Sequence, residues 1–178
     1  MPMLLQICQL GHPILREKAK EIENVNDPAI QVLIKDMIAT CQDVGGVGIA
    51  APQVYQPLRL FIMASKPNAR YPNAPHMEPT AIINPVIVSF SDEIEEGWEG
   101  CLSIPGIRGL VPRYKSITVR FNNRDGGLEE RTFEGFLARI FQHEYDHIEG
   151  ITFLDRANSK SLAMDKEYLK IVSAESKK

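Results

Sequence analysis

Apolar residues recur at intervals of three and four over residues 30–41, at Ile30, Leu33, Ile34, Met37, Ile38 and Cys41. That spacing puts them on one face of an α-helix, opened by Asn26-Asp27-Pro28 with an Asn or Asp cap and Pro in the first turn, and closed by Gly45-Gly46. Cys41 continues the stripe and is expected to be a buried thiol. A second stripe, Phe136, Leu137, Ile140, Phe141 and Ile148, runs up to a stop at Gly150. Elsewhere the period shortens. Residues 3–8 alternate weakly and predict a short strand, while residues 58–65 and 81–91 predict longer ones, the second with Pro85 forcing a bulge or an edge position. Residues 117–122 and 129–133 flank Asp125-Gly126-Gly127, a hairpin signal leading straight into the second helix. Residues 66–79 carry four prolines and predict a loop in which His76 is solvated. Ile14-Leu15 predicts a packed turn after Gly11-His12-Pro13, with His12 structural, and residues 160–174 predict a loosely amphipathic C-terminal helix.

Composition narrows the setting. At 178 residues and 44% hydrophobic, the chain has material for one core, and residues 1–178 are expected to form a single catalytic domain. A net charge of −3 gives no case for direct nucleic-acid recognition. Three cysteines, Cys8, Cys41 and Cys101, do not suggest a disulfide framework and fit a reducing compartment. The first residues lack a basic, then apolar, leader, and no later run is of membrane-spanning length; a soluble intracellular protein is expected.

The chemistry concentrates in Gln142-His143-Glu144-Tyr145-Asp146-His147. Two histidines four apart share one helix face, one turn apart, and can hold one cation. Glu144, about 100° round from His143, is better placed to reach a water on that cation than to be a ligand. A second segment, Gly46-Val47-Gly48-Ile49-Ala50-Ala51-Pro52-Gln53, is too poor in bulk to read as core, and its glycines suggest a backbone passing close to something. It lacks the Lys-Ser/Thr of a phosphate loop. An amide at Gln53 could donate a hydrogen bond to a substrate oxygen. Cys101 lies outside any amphipathic helix, in Glu99-Gly100-Cys101-Leu102-Ser103, and could be a buried thiol or a functional group.

With these three segments in view the chain resembles a peptide deformylase, whose first, second and third motifs they match in the family's order. The resemblance implies a third metal ligand, Cys101, joining His143 and His147 around one divalent ion, Fe2+ by family likeness or Zn2+, with an open position for water. It implies hydrolysis of the formyl group of N-formylmethionyl nascent peptides with release of formate. Glu144 would carry the proton from the attacking water to the leaving amine, with the Gln53 amide and the Leu102 backbone N–H steadying the oxyanion. Gly46, Gly48 and Gly100 would admit the peptide backbone, and Ile49, Phe136 and Ile140 would line a methionine pocket.

The expected fold is α+β, with mixed, mainly antiparallel strands packed around a central metal-binding helix, and an N-terminal and a C-terminal helix. A cytoplasmic, bacterial-type protein is expected, with organellar origin as the alternative because Ala138-Arg139-Ile140 resembles organellar members. Arg108 and Arg113 are expected to pair with the acidic residues 92–99. The lysines at 160, 166, 170, 177 and 178 leave room for a weak ribosome contact. Two rival readings stand beside this one: a zinc metallopeptidase using Glu167 as downstream third ligand, and a metal-binding protein without catalysis.

Overall fold

The computed structural model describes residues 1–67 and 71–175. Its first long element is helix α1, Pro28–Asp43, capped by the Asp27 side chain, which accepts from the Ala29 N–H at 2.8 Å. Five strands then form one antiparallel sheet in the order β1-β2-β3-β6-β7: Gly48–Ala50, Leu60–Ser65, Met77–Phe90, Ser116–Asn122 and Leu128–Glu134. A second sheet pairs β4, Ile94–Cys101, with β5, Ile104–Tyr114, and adds the short β8, Leu162–Met164. Helix α2, Gly135–Ile148, follows β7 directly, and the short α3, Phe153–Arg156, and α4, Asp165–Glu175, close the described chain. Among the described residues no helix is long and apolar enough to cross a membrane.

The apolar run in β2 is explained by two helices on opposite faces of the large sheet. Leu60 and Ile62 pack with Ile34, Met37 and Cys41 of α1, whereas Phe61 and Met63 pack with Ala138, Phe141 and Ile148 of α2. Because strand side chains alternate, burial on both faces needs a continuous rather than an alternating pattern. At the end of α2, Gly150 adopts φ +75°, and a Cβ there would stand 2.7 Å from the Arg16 carbonyl oxygen, so the helix stop is also a close backbone crossing.

Pro85 does sit at a bulge: the β3–β6 register shifts between Ile83 and Val86, and Asn84 takes φ 48° with its side chain bonded to both the N–H and the carbonyl of Ile22. Four expectations change. Residues 3–8 form no strand but an arm whose N–H groups are taken one at a time by Asp36, Thr40 and the carbonyl of Gln53. The run 46–53 is core after all, since Ile49, Ala50 and Ala51 are fully buried. Strand β3 starts at Met77, inside the expected loop, because Pro79 falls opposite a register irregularity where its missing N–H breaks no ladder bond. Residues 162–164 pair with β5 before α4 begins, a strand too short to show a period.

Candidate active site

Strand β4 and helix α2 meet at their functional ends. Cys101 closes β4, and its Sγ lies 3.3 Å from Nε2 of His147. One ligand-type atom from each of Cys101, His143 and His147 fits within 4.8 Å of the others, and this is the His/Cys/Asp/Glu group able to hold a metal ion among the described residues. The two imidazoles come from successive turns of α2 with ring centroids 5.1 Å apart.

Glu99, two residues before Cys101 on the same strand, receives Nδ1 of His143 at 2.9 Å. That bond fixes the His143 tautomer and leaves its other nitrogen to face the thiol. Arg113 bonds both Glu99 oxygens at 2.9 Å, Arg139 adds a bond at 2.9 Å, and Arg113 continues to Asp146, which Arg156 also grips. Burial opposes the Glu99 charge, but Arg113 and His143 overcome it and hold the carboxyl well below the usual carboxylate range. Burial likewise opposes a Cys101 thiolate; the charge and hydrogen bonds of His147 and His143 outweigh it and bring the thiol down to about 5. The donor set, one readily ionised thiol and two imidazoles, fits a divalent transition metal.

Glu144 is different in kind. It is buried, its Oε2 has no hydrogen-bond partner, and burial lifts its pKa to about 7. Gly48 of β1 makes room for it: a Cβ there would stand 2.7 Å from Cδ and 2.8 Å from Cγ of Glu144. Gly48→Ala should therefore displace the carboxylate and lower kcat by about 10²-fold, the scale of a 1 Å misplacement, while metal content stays at the wild-type level. Metal analysis beside a rate assay checks both halves, and an unchanged kcat would remove the close-approach argument.

A cavity of about 230 Å³ opens in front of these groups. Gly46, Gly48, Gln53, Gly100, Leu102, Phe136 and Ile140 line it together with Cys101, His143 and Glu144, so the structure brings these expected site residues to one place. Ile49 is the exception. Its neighbour Gly48 faces α2, so strand alternation turns Ile49 to the other side, where it is fully buried in the α1 cluster. Glu167 is also elsewhere, exposed on α4 and paired with Lys170, which removes the downstream ligand of the metallopeptidase reading.

The cavity has walls that sequence reasoning did not assign. Tyr71, inside the expected loop, packs its ring 4.9 Å from Phe136 and hydrogen-bonds Arg108. Trp98, Arg139 and Asp165 complete the rim. Arg113 pairs with Glu99 as expected, but Arg108 reaches Asp165 at 2.9 Å rather than the acidic stretch, because the β5–β8 pairing carries the start of α4 over it.

Comparison with known proteins points to one family. The polypeptide deformylase family matches residues 4–163. Peptide deformylase 2 of Nostoc sp. is 56% identical over 177 residues, 99% of either chain. The crystal structure of a class I type b peptide deformylase from Acinetobacter baumannii, with Met-Ala-Ser bound, superposes with a TM-score of 0.86 at 43% identity, covering 88% of this chain and 99% of that one. A peptide deformylase from Thermotoga maritima superposes with a TM-score of 0.78 at 37% identity, covering 87% and 98%. A thiol, two imidazoles and a buried carboxylate around one cavity, on a chain matched along nearly its whole length, place this protein in the polypeptide deformylase family, the metal-dependent hydrolases that remove the formyl group from the N-terminal formylmethionine of new polypeptides.

Proposed function

We propose that Cys101, His143 and His147 hold one divalent metal ion and that Glu144, Gln53 and the backbone N–H of Leu102 carry the deformylation. The observation behind this reading is the convergence of the three ligand-type atoms within 4.8 Å beside a buried carboxylate with an unpartnered oxygen. A divalent ion bound there supplies Lewis acidity toward the formyl oxygen and toward water. Glu144 takes the proton of the attacking water on its carboxylate and hands it to the amine nitrogen as the C–N bond breaks, leaving formate and a free methionyl N-terminus. A carboxyl with its pKa near 7 suits both halves of that transfer. Gln53 Nε2 and the Leu102 N–H donate to the formyl oxygen as it gains charge, each contributing about 2.7–4 kcal/mol by analogy with other oxyanion donors.

Phe136 and Ile140 flank the methionine side chain; Gly46, Gly48 and Gly100 border the same cavity, with Gly48 making room for Glu144 and Gly100 for Arg108 rather than for the peptide itself. Fe2+ is the favoured ion by resemblance, and the same ligands suit Zn2+. The substrates are nascent chains in the cytoplasm of a bacterium. The mixed charges of α4 support at most a weak ribosome contact.

Anaerobic purification with metal analysis, beside formate release from formyl-Met-Ala-Ser, tests the reading. Activity should track one equivalent of metal, vanish with chelator or prolonged air exposure, and return with ferrous iron. Formate release that persists in metal-free protein would sink it.

A further inference from the structure

Ser103 is fully buried, and its Oγ accepts a hydrogen bond from the side-chain amide of Gln53, a proposed reacting group. The Gln53 carboxamide is fixed at both ends. Its Oε1 accepts from the Ala50 N–H at 2.8 Å, which assigns the oxygen and nitrogen positions, and its Nε2 donates to Ser103 Oγ at 3.1 Å. Nε2 also lies 3.5 Å from Cys101 Sγ, on the cavity side. A primary amide carries two protons on that nitrogen. With one taken by Ser103, the other is directed toward the metal-ligand side.

The terminal torsion of a glutamine is broad, with no deep staggered wells, so a single bond at Oε1 would leave the amide plane free to swing. The second bond removes that freedom. The backbones of the two residues are also tied to one another's frame by the N-terminal arm: Cys8 N–H bonds the Gln53 carbonyl at 2.9 Å, and Leu10 N–H bonds the Ser103 carbonyl at 2.8 Å. First and second motif segments are thus held to the same short stretch of the arm.

We propose that Ser103 is a positioning residue, whose Oγ accepts a hydrogen bond from one Nε2–H of Gln53 and so aims the other at the formyl oxygen. The proposal rests on the reading that Gln53 is an oxyanion donor. A serine that merely fills space would affect stability and leave the Gln53 contribution intact; a positioning serine has an effect only while Gln53 is present.

The test is a double-mutant cycle on metal-loaded protein, with kcat and KM for formyl-Met-Ala-Ser and metal content measured for Gln53→Ala, Ser103→Ala and the double variant. Gln53→Ala should lower kcat by about 10²–10³-fold, as for other oxyanion donors. Ser103→Ala should lower kcat by about tenfold, the scale of one hydrogen bond, with KM within about twofold of wild type. In the Gln53→Ala background the same serine change should alter kcat by less than about twofold. An equal loss in both backgrounds, or no loss in either, overturns the positioning role. Wild-type kcat in Gln53→Ala overturns the oxyanion reading, and the proposal with it. A second readout needs no turnover: in zinc-loaded protein, exchange of the Gln53 side-chain amide protons with solvent should be slow and should speed up in Ser103→Ala. Unchanged exchange would count against the proposal even if rates fell. Should Ser103→Ala fail to fold, Ser103→Cys keeps the volume with a weaker acceptor, and the same non-additivity and faster exchange are required of it.

Discussion

Glu144→Gln is expected to lower kcat for formyl-Met-Ala-Ser by roughly 10³-fold, within the usual 10²–10⁴ range for loss of a general acid–base. The amide keeps the size of the carboxylate and cannot accept the water's proton, so metal content and KM should stay near wild type. The same change should stabilise the metal-free protein, because the wild type holds a carboxylate with an unpartnered oxygen in a buried place. Its folded pKa of about 7 lies above the ordinary 4.5, so the favourable contribution of the protonated group is present below pH 4.5 and lost as pH rises through 7. At pH 8 the variant should therefore gain roughly 3 kcal/mol at most, at about 1.4 kcal/mol per unit, and near pH 4 nothing. Denaturant unfolding of metal-free protein at the two pH values, with formate release of the loaded form, checks both. Retained kcat would end the general-base assignment; a stability difference independent of pH would mean that burial of charge is not its source.

Arg113→Ala should cost about 3 kcal/mol of stability, the lower end for breaking a buried ion pair, because it removes the shared partner of two buried carboxylates while Arg139 stays on Glu99 and Arg156 on Asp146. Arg113, Glu99 and Asp146 have side chains only 3%, 4% and 5% exposed. For a chain of this size the loss corresponds to a fall of roughly 10 °C in Tm. The stabilisation belongs to the ionised carboxylates: with the Glu99 pKa held below its ordinary 4.5, that contribution is present above this value and is lost as pH falls toward the lowered one. Arg120→Ala is the control. Its pair with Glu130 is about half exposed on both sides, and such pairs are worth about 0–1 kcal/mol. Thermal unfolding in parallel decides the matter, and equal shifts in the two variants would show that burial is not what makes the Arg113 network matter.

Helices α1 and α2 and the β6–β7 hairpin were legible because their signals are local: a period, a cap, a turn. The ligand residues were legible for another reason, since a helix fixes the geometry of His143 and His147 from spacing alone, while Cys101 came only from family resemblance. The arm of residues 3–10 was not legible, because its partners Asp36, Thr40, Gln53 and Ser103 lie more than thirty positions away and it has no ladder. Ile49 was misplaced because nothing in a three-residue strand fixes which way its pleat faces; the contact between Gly48 and Glu144 does. Arg108 chose Asp165 over nearer acidic residues for a similar reason, a strand pairing invisible in sequence. Tyr71 carried no motif, and only the folded chain brings it to Phe136.

None of the residues of α2 from Gly135 to Ile148 is exposed: the cavity, the aromatic core and the arginine network together enclose the helix. Its amide protons can thus exchange with solvent only when most of the molecule opens, and the spacing of the two imidazoles is set before any ion arrives. Metal traffic then runs through the cavity mouth instead of a fraying helix. Stripping the ion should leave a vacant but preformed seat, which refills at the pace of diffusion and ligand deprotonation, with no refolding step.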